Sequence, residues 1–427
     1  MTERREVYES LDLALRIGEV LLSSGAGAAD VTASMLEVTH ACGVRNVTAD
    51  VTFVDLTLRH QPSRDEPAAI QVRRVNRRPV DYAALVEVDE VATELVAGRI
   101  TRNEARDRVA RTVSTGHSRP RWAVTLGWGF MGSGIALTLG GGPLVCLLAF
   151  VAACGIDATQ RLLPPQRIPP FYQQAAGGFV ATMVAIGASA TSLEVNPSRV
   201  VTAGIVLLLA GVGILGATQD ALTGFPVTAA ARVIDAFLNT TGIIAGVAAG
   251  LTVGDLLGVG LVDFTVGAAG LAEAGATVVG AASAAAAFAF ASYAPLRALL
   301  AVALVGALGQ VVVLSIDATA VGRTWGSAVA AITIGAVCHL AAGRFRVPPL
   351  VVVVPAIVPL LPGLDVYRGL ALLAEGRDGV LQLASALATA LALAAGVILG
   401  QYISRPIKRE AHRLERRLSG PRMVGRG

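Results

Sequence analysis

The feature that most constrains this chain is a series of apolar segments over residues 122–402, each about as long as a bilayer crossing. A membrane-spanning helix needs about 20 mostly apolar residues. Glycines, prolines and charged residues divide the region into ten such segments. We predict spans at 122–140, 143–161, 172–192, 200–218, 232–254, 265–290, 296–314, 324–342, 349–367 and 381–402.

The composition agrees with an all-α polytopic membrane protein whose main partner is the lipid bilayer, because 54% of the 427 residues are hydrophobic and 15% are charged. The net charge of +4 does not indicate nucleic-acid binding, since it comes from a short tail: residues 403–427 hold eight Lys or Arg and two Glu. An even number of spans puts both termini on one side, and basic residues concentrate on the cytoplasmic side. We therefore expect cytoplasmic termini, with residues 403–427 as a basic tail against anionic lipid.

Residues 1–121 precede the first span and have the pattern of a small α/β cytoplasmic accessory domain, either regulatory or folding-related. Apolar residues recur at helical spacing on both sides of Gly25-Ala26-Gly27, which predicts a helical hairpin. Two strands and two further helices are then expected, with a bulge near Val54 where the apolar alternation changes face. These elements are predicted at Val47–Leu58, Ile70–Val75, Tyr82–Val96 and after the capping box Thr101-x-x-Glu104.

No sequence pattern indicates enzyme chemistry or a cofactor. Ser23-Ser24-Gly25 lacks the flanking glycines of a nucleophile elbow, and no glycine-rich phosphate loop follows a predicted strand. Cysteines occur at Cys42, Cys146, Cys154 and Cys338, without a C-x-x-C pair or metal-ligand spacing. We expect a protein that is not an enzyme and binds no metal or cofactor.

Short motifs recur in the same order in residues 122–254 and 265–402, which indicates two related five-span units. Because each unit has an odd number of spans, the second unit has to be inverted relative to the first, as in secondary transporters. Ile156-Asp157-Ala158-Thr159 matches Ile316-Asp317-Ala318-Thr319. Leu215-Gly216, followed by Asp220 and Gly224, matches Pro362-Gly363, followed by Asp365 and Gly369. Ala245-Gly246-Val247, followed by Gly250, matches Ala395-Gly396-Val397, followed by Gly400.

Motifs near both ends of the chain also carry a family resemblance. They are Leu21-Leu22-Ser23-Ser24-Gly25-Ala26, Ala41-Cys42-Gly43-Val44, Val51-Thr52, Val354-Pro355, Pro359-Leu360-Leu361-Pro362-Gly363 and Tyr367-Arg368-Gly369. With them the chain resembles the threonine/serine exporter (ThrE-like) family of bacterial inner-membrane proteins. The resemblance implies export of threonine and serine by proton antiport, with relatives associated with dicarboxylate export. The first-half counterparts of the proline-containing motif, Ala210-Gly211 and Leu215-Gly216, contain no proline and so depart from the family pattern.

Asp220 and Asp365 are the main candidates for a solute and proton site. An ionisable residue inside a span costs at least about 2.5 kcal/mol on insertion scales, so one that is kept there is a functional candidate. Each of the two follows a glycine-containing motif at the end of a span, and broken segments of inverted repeats meet near the membrane midplane. Capping of a helix end at the membrane interface is the structural alternative for both.

Other polar or helix-breaking residues extend this candidate site. Pro355, Pro359 and Pro362-Gly363 exclude a continuous helix, and the freed backbone groups can bind the charged groups of an amino acid. Asp157 and Asp317 suggest a second carboxylate pair, although either can mark a span end. Arg368 and Arg232 lie near the two motifs and can bind a carboxylate or anchor the surface, and Asp235 can pair locally with Arg232. The polar residues Gln173, Gln174, Asn239, Thr240 and Thr241 can line a path or join helices.

Three alternatives stay open from the sequence. An intramembrane aspartyl hydrolase would pair two membrane aspartates, but the expected Tyr-Asp and Gly-x-Gly-Asp motifs are missing. A membrane sensor would act through the N-terminal domain alone. A transporter could also carry a dicarboxylate in place of an amino acid. The sequence does not fix the oligomeric state, and a homo-oligomer is compatible with it.

Overall fold

The computed structural model describes residues 2–63, 65–75, 80–116, 119–163, 168–189, 197–208, 211–258, 271–317, 323–374 and 376–418. An N-terminal part of helices and one sheet is followed by a long series of helices. The elements of the N-terminal part are α1 Thr2–Ser23, α2 Ala28–Ala41, β1 Val47–Val51, β2 Asp55–His60, β3 Ala69–Arg74, α3 Tyr82–Val96 and α4 Arg102–Ser114.

The N-terminal part packs its helices on one face of an antiparallel sheet with the strand order β1-β2-β3. Its core is formed by fully buried side chains of α1, α2, β2 and α3, among them Leu11, Ile17, Met35, Leu58 and Tyr82. The capping box predicted at the start of α4 is confirmed. The Thr101 backbone N–H donates to Glu104 Oε2 at 2.7 Å, and the Glu104 backbone N–H donates to Thr101 Oγ1 at 3.3 Å.

The single bulged strand that we predicted over Val47–Leu58 is wrong, because this segment forms a hairpin. β1 pairs with β2, with Val51 opposite Leu56. The Thr52 backbone N–H donates to the Asp55 carbonyl at 2.9 Å, and the Asp55 N–H donates to Thr52 Oγ1 at 3.0 Å. A threonine hydroxyl thus stabilises a turn that contains no glycine, asparagine or proline. The alternation of apolar residues changes face near Val54 because the chain turns there.

The remaining helices form a membrane part. Over the described residues they are α5 Arg121–Thr138, α6 Pro143–Leu162, α7 Pro170–Ser189, α8 Pro197–Leu208, α9 Gly211–Leu222, α10 Pro226–Leu256, α11 Leu271–Ala291, α12 Leu296–Asp317, α13 Arg323–Phe345, α14 Leu350–Ile357, α15 Gly363–Ala374 and α16 Val380–Leu418.

Six of these helices, α6, α10, α11, α12, α13 and α16, are long and apolar enough to cross a membrane in the part of the chain that is described. Their outward faces carry large exposed apolar side chains, such as Leu147, Phe237 and Leu304 at 58–68% exposure. Such a surface is unfavourable in water and suits contact with lipid. The protein is therefore a helical, polytopic membrane protein.

Every predicted span overlaps a helix, and two predicted spans contain a change of helix. Segment 200–218 covers parts of α8 and α9, and segment 349–367 covers α14 and the start of α15. Residues 190–192, 209–210 and 265–270 of the predicted spans lie outside the described residues, as do 318–319 of the second Asp motif. The last helix, α16, continues to Leu418 and so includes much of the basic tail, of which 419–427 lie outside the description.

The helices of the two halves pack in the same order. α5 packs on α6, α6 on α7 and α7 on α10, just as α11 packs on α12, α12 on α13 and α13 on α16. α8 contacts α5, α6 and α7, and α14 contacts the corresponding helices α11, α12 and α13. α5 and α11 also pack against each other and join the two halves.

Glycines of the last helix of each half make close contacts with a neighbouring helix, one helical turn away from the pairing that the sequence motifs suggest. The glycines of α10 lie against α7, and those of α16 lie against α13. A Cβ atom added at any of them would overlap the facing helix: Gly246 against Ala175, Gly250 against Thr182, Gly396 against Ala328 and Gly400 against Ile332. Gly242 and Gly246 meet the carbonyls of Phe171 and Ala175 as Gly396 and Gly400 meet those of Ala328 and Ile332. In packing, Gly246 is therefore equivalent to Gly400 and not to Gly396.

Candidate functional site

The ninth predicted span is broken at its prolines, as the sequence predicts. α14 ends at Ile357, a short 3₁₀ turn covers Val358–Leu360, and Leu361 is extended with φ −61° and ψ 139°. α15 then begins at Gly363. Pro359 and Pro362 have no backbone N–H to continue the helical hydrogen bonds, whereas Pro355 lies inside α14. The helix is therefore interrupted between Ile357 and Gly363.

A cavity of about 70 Å³ lies beside this break. A single water needs roughly 10–15 Å³ of such space, so the cavity can hold several waters or a small polar group. Six helices and the broken segment contribute to its lining. The lining residues are Ile135, Thr138, Leu139, Thr202, Val206, Gln310, Val313, Thr324, Ser327, Pro359, Leu360, Leu361, Pro362, Leu364, Asp365, Ser385 and Thr389.

The polar part of this lining consists of hydroxyls, one amide and one carboxylate. Thr202 is fully buried, and its Oγ1 has no hydrogen-bond partner among the described residues. Gln310 is 7% exposed, and the hydroxyls of Thr324 and Thr389 lie 3.4 Å apart. Asp365 is in the first turn of α15, where the partial positive charge of a helix N-terminus favours a carboxylate. An unsatisfied buried hydroxyl is uncommon, and a water or a polar ligand in the cavity would supply the partner that Thr202 lacks.

The cavity lies at the end of the membrane part that faces away from the N-terminal part of the chain, α1–α4 with β1–β3. We call that N-terminal part the N-terminal domain. α5 starts at Arg121, directly after that domain, and contributes to the cavity only from its last turn, at Ile135, Thr138 and Leu139. α13 and α16 contribute from their N-terminal parts, through Thr324 and Thr389 among others. We call this cavity the remote cavity.

The structure places Asp220 elsewhere, at the contact between the membrane part and the N-terminal domain. Its Oδ2 lies 2.9 Å from Arg232 Nε, and both side chains are buried. Its Oδ1 accepts a hydrogen bond from the Ala28 backbone N–H at 2.7 Å. Arg232 also donates to the Ala26 carbonyl at 2.9 Å. The turn Gly25–Ala28 that precedes α2 is therefore bound to the ends of α9 and α10, and the structure does not bring Asp220 and Asp365 into one site.

We call the contact of the turn Gly25–Ala28 with Asp220 and Arg232 the domain latch. Neighbouring groups add further hydrogen bonds to it. Gln219 Nε2 donates to Asp30 Oδ2 at 2.9 Å, and Thr228 Oγ1 donates to the Val51 carbonyl at 3.1 Å. A Cβ at Gly216 would overlap the Arg232 guanidinium. Gly216, where the sequence suggested a helix break, thus lies inside α9 and makes room for an arginine.

A second contact joins the N-terminal domain to the turn between α11 and α12. The Tyr82 backbone N–H donates to the Ser292 carbonyl at 2.9 Å. Arg119 donates to the carbonyls of Phe290 and Ala294, and its guanidinium lies 4.3 Å from the centre of the Phe290 ring. The domain thus contacts both halves of the membrane part.

Asp157 and Asp317 do not form a contacting pair. Asp157 lies near the domain, where its Oδ2 is 2.7 Å from Arg161 Nη2 and accepts from the Thr125 hydroxyl in the first turn of α5 at 2.7 Å. Asp317 is the exposed last residue of α12. α12 begins beside the turn bound by Tyr82 and is 22 residues long, or about 33 Å, so Asp317 lies at the opposite end of the membrane part.

The remaining sequence candidates lie in two places. Pro362 lines the remote cavity, and a Cβ at the adjoining Gly363 would overlap Val206 of α8. Arg368 is half-buried three residues after Asp365 on α15. Gln174 and Asn239 lie on α7 and α10, in the half near the domain, and Asn239 Nδ2 donates to Asp235 Oδ2 at 3.2 Å.

Sequence reasoning missed most of the polar lining of the remote cavity. Thr202, Ser327 and Thr389 are single hydroxyls in apolar spans, a type of residue that most often bonds to its own helix. Gln310 gave a usable signal, because it is an isolated amide in the apolar run of α12. A buried amide needs partners, so such a residue marks a polar contact or a path.

Comparison with known proteins identifies the family. The family model described as "Putative threonine/serine exporter" matches residues 12–254, and the one described as "Threonine/Serine exporter, ThrE" matches residues 277–403. The chain is 35% identical over 364 residues to the "Probable threonine/serine exporter" of Mycobacterium tuberculosis, covering 84% of this chain and 69% of that protein. It is 34% identical over 376 residues to the "Threonine/serine exporter" of Corynebacterium glutamicum, covering 87% and 77%.

No solved structure matches the chain significantly. The two family matches together cover the N-terminal domain and most of both halves of the membrane part. They confirm the resemblance that the sequence motifs carried. The chain belongs to the threonine/serine exporter family of bacterial membrane proteins.

Proposed function

We propose that this protein is a secondary active exporter of small hydrophilic amino acids, threonine and serine, driven by the proton motive force. Two relatives that align with more than four fifths of the chain are named for threonine and serine export. The structural observation that carries the proposal is the remote cavity, in which Asp365 and several hydroxyls face a proline-broken helix.

The lining of the remote cavity suits a hydroxylated amino acid. Asp365 can bind the ammonium group, and amides in the first turn of α15 can bind the carboxylate. The hydroxyl of Thr202 and the amide of Gln310 can bond to the side-chain hydroxyl of the substrate. Each group of the substrate thus has a partner of the appropriate chemistry.

The same lining disfavours the two main alternatives. Among the described residues around the cavity, Asp365 is the charged one, so a dicarboxylate would bring two negative charges to a site with a third. An aspartyl hydrolase needs two adjacent carboxylates. Asp220, the partner that such a mechanism would require for Asp365, is bound to Arg232 and Ala28.

Asp365 is also the best candidate for the coupling proton. Hydroxyl and amide groups do not ionise under these conditions, whereas a carboxylate can bind and release a proton. A change of charge next to the substrate site can bias which side of the membrane the site faces. Uptake of a proton by Asp365 would then favour release of the substrate ammonium.

We further propose that ten spans form two inverted five-helix repeats, with both termini in the cytoplasm and the chain in the inner membrane. The shared packing order of the two halves supports two repeats. α5 begins beside the N-terminal domain, while α11 ends at the turn bound by that domain, so the first helices of the two halves run in opposite directions. The N-terminal domain acts as a regulatory unit that contacts both halves.

Transport into proteoliposomes tests this function. Purified protein should exchange labelled threonine for internal threonine or serine, and an imposed proton gradient should drive net accumulation. Succinate serves as the competing dicarboxylate and should not be exchanged. Exchange of succinate but not of threonine or serine would overturn the assignment of the substrate, and accumulation without a proton gradient would overturn the coupling ion.

A further inference from the structure

Three exposed arginines lie where the start of α12 meets the end of α13. Arg297 is in the first turn of α12, Arg344 is in the last turn of α13, and Arg346 directly follows that helix. Arg297 Nη2 donates to the Arg346 carbonyl at 3.3 Å, which joins the two helix ends. We call these three residues the basic cluster. Because α12 begins beside the turn bound by Tyr82, the cluster lies at the boundary of the membrane part nearest the N-terminal domain.

The basic cluster has no carboxylate partner among the residues that the structure describes. Other arginines of the protein are paired: Arg108 bonds to Glu87 at 2.9 Å, and Arg232 bonds to Asp220 at 2.9 Å. The cluster therefore brings three positive charges to one boundary of the membrane part without a counterion from the described protein. An anion from outside the chain would neutralise them.

The backbone does not explain the arginine at position 346. Its φ is +51°, in the left-handed region, and the next N–H, of Val347, donates to the Ala342 carbonyl at 3.1 Å and closes the end of α13. Glycine is favoured at such a helix end because it has no Cβ atom. The guanidinium of Arg346, and not its conformation, therefore accounts for an arginine here.

Exposed apolar side chains continue from the basic cluster along both helices. On α12, Leu296, Leu300 and Leu304 follow each other at every fourth position and are 61–68% exposed. On α13, Leu340 is 68% exposed and lies one turn before Arg344. Because α12 and α13 pack against each other, these leucines form two neighbouring lipid-facing strips that begin at the positive charges.

We propose that the basic cluster binds the headgroup phosphate of an anionic phospholipid, whose acyl chains lie along the exposed leucines of α12 and α13. A guanidinium matches the geometry of phosphate oxygens and can bond to two of them at once. Basic surfaces between membrane helices are suited to anionic headgroups. A soluble phosphate ester would use the arginines but not the leucines, so the combination favours a lipid. The site does not depend on which solute the protein transports.

Native mass spectrometry of the purified full-length protein tests the site, with phosphatidylglycerol and phosphatidylcholine of identical acyl chains as probes. Wild-type protein should bind phosphatidylglycerol more tightly. Arg297→Gln and Arg344→Gln should each weaken this binding about fivefold, the contribution of one basic residue at an anionic surface, and leave phosphatidylcholine unaffected. The Arg344 side chain has no hydrogen bond to another described residue, so Arg344→Gln preserves the fold. The basic tail is the same in all variants, so a difference reports on the cluster.

Arg199→Gln is the matched control, because Arg199 also donates to a backbone carbonyl, that of Gly140, but lies at the opposite boundary, beyond the end of α5. It should leave the preference for phosphatidylglycerol unchanged. An equal loss in Arg199→Gln and Arg344→Gln, or no loss in Arg297→Gln and Arg344→Gln, would overturn the site and leave only diffuse attraction to the bilayer. Glycerol phosphate, the soluble headgroup, should not displace the lipid. Displacement at equal concentration would overturn the lipid and assign the cluster to a soluble anion.

Discussion

Asp220 and Arg232 form a buried ion pair that holds the N-terminal domain on the membrane part. The carboxylate lies 2.9 Å from the guanidinium and accepts the Ala28 N–H at 2.7 Å with its other oxygen. Arg232 completes the contact at the Ala26 carbonyl. Two charges removed from water need good partners on all sides, and here the turn before α2 provides some of them. The domain therefore supplies two of the polar partners that this buried pair needs.

We expect Asp220→Asn to loosen this turn. Asparagine can still accept the Ala28 N–H, but it leaves the Arg232 charge without its counterion, and removing one partner of a buried pair typically costs about 3–5 kcal/mol. Hydrogen exchange of the amides around Ala28 should become at least about tenfold faster, while amides in the sheet of the domain stay protected. Unchanged exchange at Ala28 would show that the ion pair does not hold the domain.

The double variant Asp220→Leu with Arg232→Met separates loss of the pair from an unpaired charge. Replacing both charged residues by apolar ones is often much less costly than removing one. We expect the double variant to unfold at a higher denaturant concentration than either single variant. The difference between the summed single effects and the double effect measures the coupling of Asp220 and Arg232.

Gly216→Ala should disturb the same contact from the opposite side of Arg232. The added methyl group would overlap the guanidinium, which has little room to move because it is bound to Asp220 and Ala26. Overpacking of this kind costs about 1–3 kcal/mol. Thermal unfolding and exchange at Ala28 both report the effect. Gly187→Ala is the control, since a Cβ at Gly187 meets nothing within 4 Å and alanine favours a helix.

The helix break and the close contact made by each glycine could be predicted from sequence because each depends on a property of the residue itself, whereas the pairing of Gly246 with Gly396 is one turn off. Pro359 and Pro362 cannot continue a helix whatever surrounds them. Gly246 and Gly396 permit close helix contact because they have no side chain. Such signals can still be recognised in an apolar segment, where hydrophobic periodicity does not distinguish the buried face of a helix from its lipid-facing side.

The role of Asp220 could not be predicted, because its partner in the N-terminal domain is 192 residues away in sequence. The sequence suggested a transport site from an ionisable residue next to a glycine, but that glycine accommodates an arginine. The lining of the remote cavity was missed for a similar reason. Thr202 and Thr389 come from different halves, and only the fold brings them together.

The capping box of α4 should make the stability of this helix depend on pH. Hydrogen bonds from the Thr101 backbone and hydroxyl lower the pKa of Glu104 below its usual value of 4.5. A carboxylate whose pKa is lowered on folding stabilises the fold above about pH 4.5, and this contribution is lost as the pH falls through the folded-state pKa. Hydrogen-exchange protection of α4, corrected for intrinsic rates, should therefore decrease in this acidic range.

Two variants check this assignment of the capping box. Glu104→Gln should remove the acid-dependent part, since glutamine does not titrate. Thr101→Ala should lower protection at neutral pH as well, by about 1 kcal/mol, the typical cost of a lost N-cap. Equal acid dependence in wild type and Glu104→Gln would assign the titration to another carboxylate.

Asp365→Asn should abolish gradient-driven export of threonine more strongly than it weakens threonine binding. Asparagine keeps the size of the side chain and most of its hydrogen bonding at the start of α15, but it cannot take up or release a proton. Exchange without a proton gradient should therefore persist at a reduced level, and the dependence of transport on external pH should disappear. Asp378→Asn is the matched control, because Asp378 also lies at a helix start and accepts the Val380 N–H at 3.0 Å, a capping role that asparagine fulfils well. Wild-type export with an unchanged pH profile in Asp365→Asn would show that this carboxylate is a helix cap too, and would move the search for the proton site to Asp157 and Asp317.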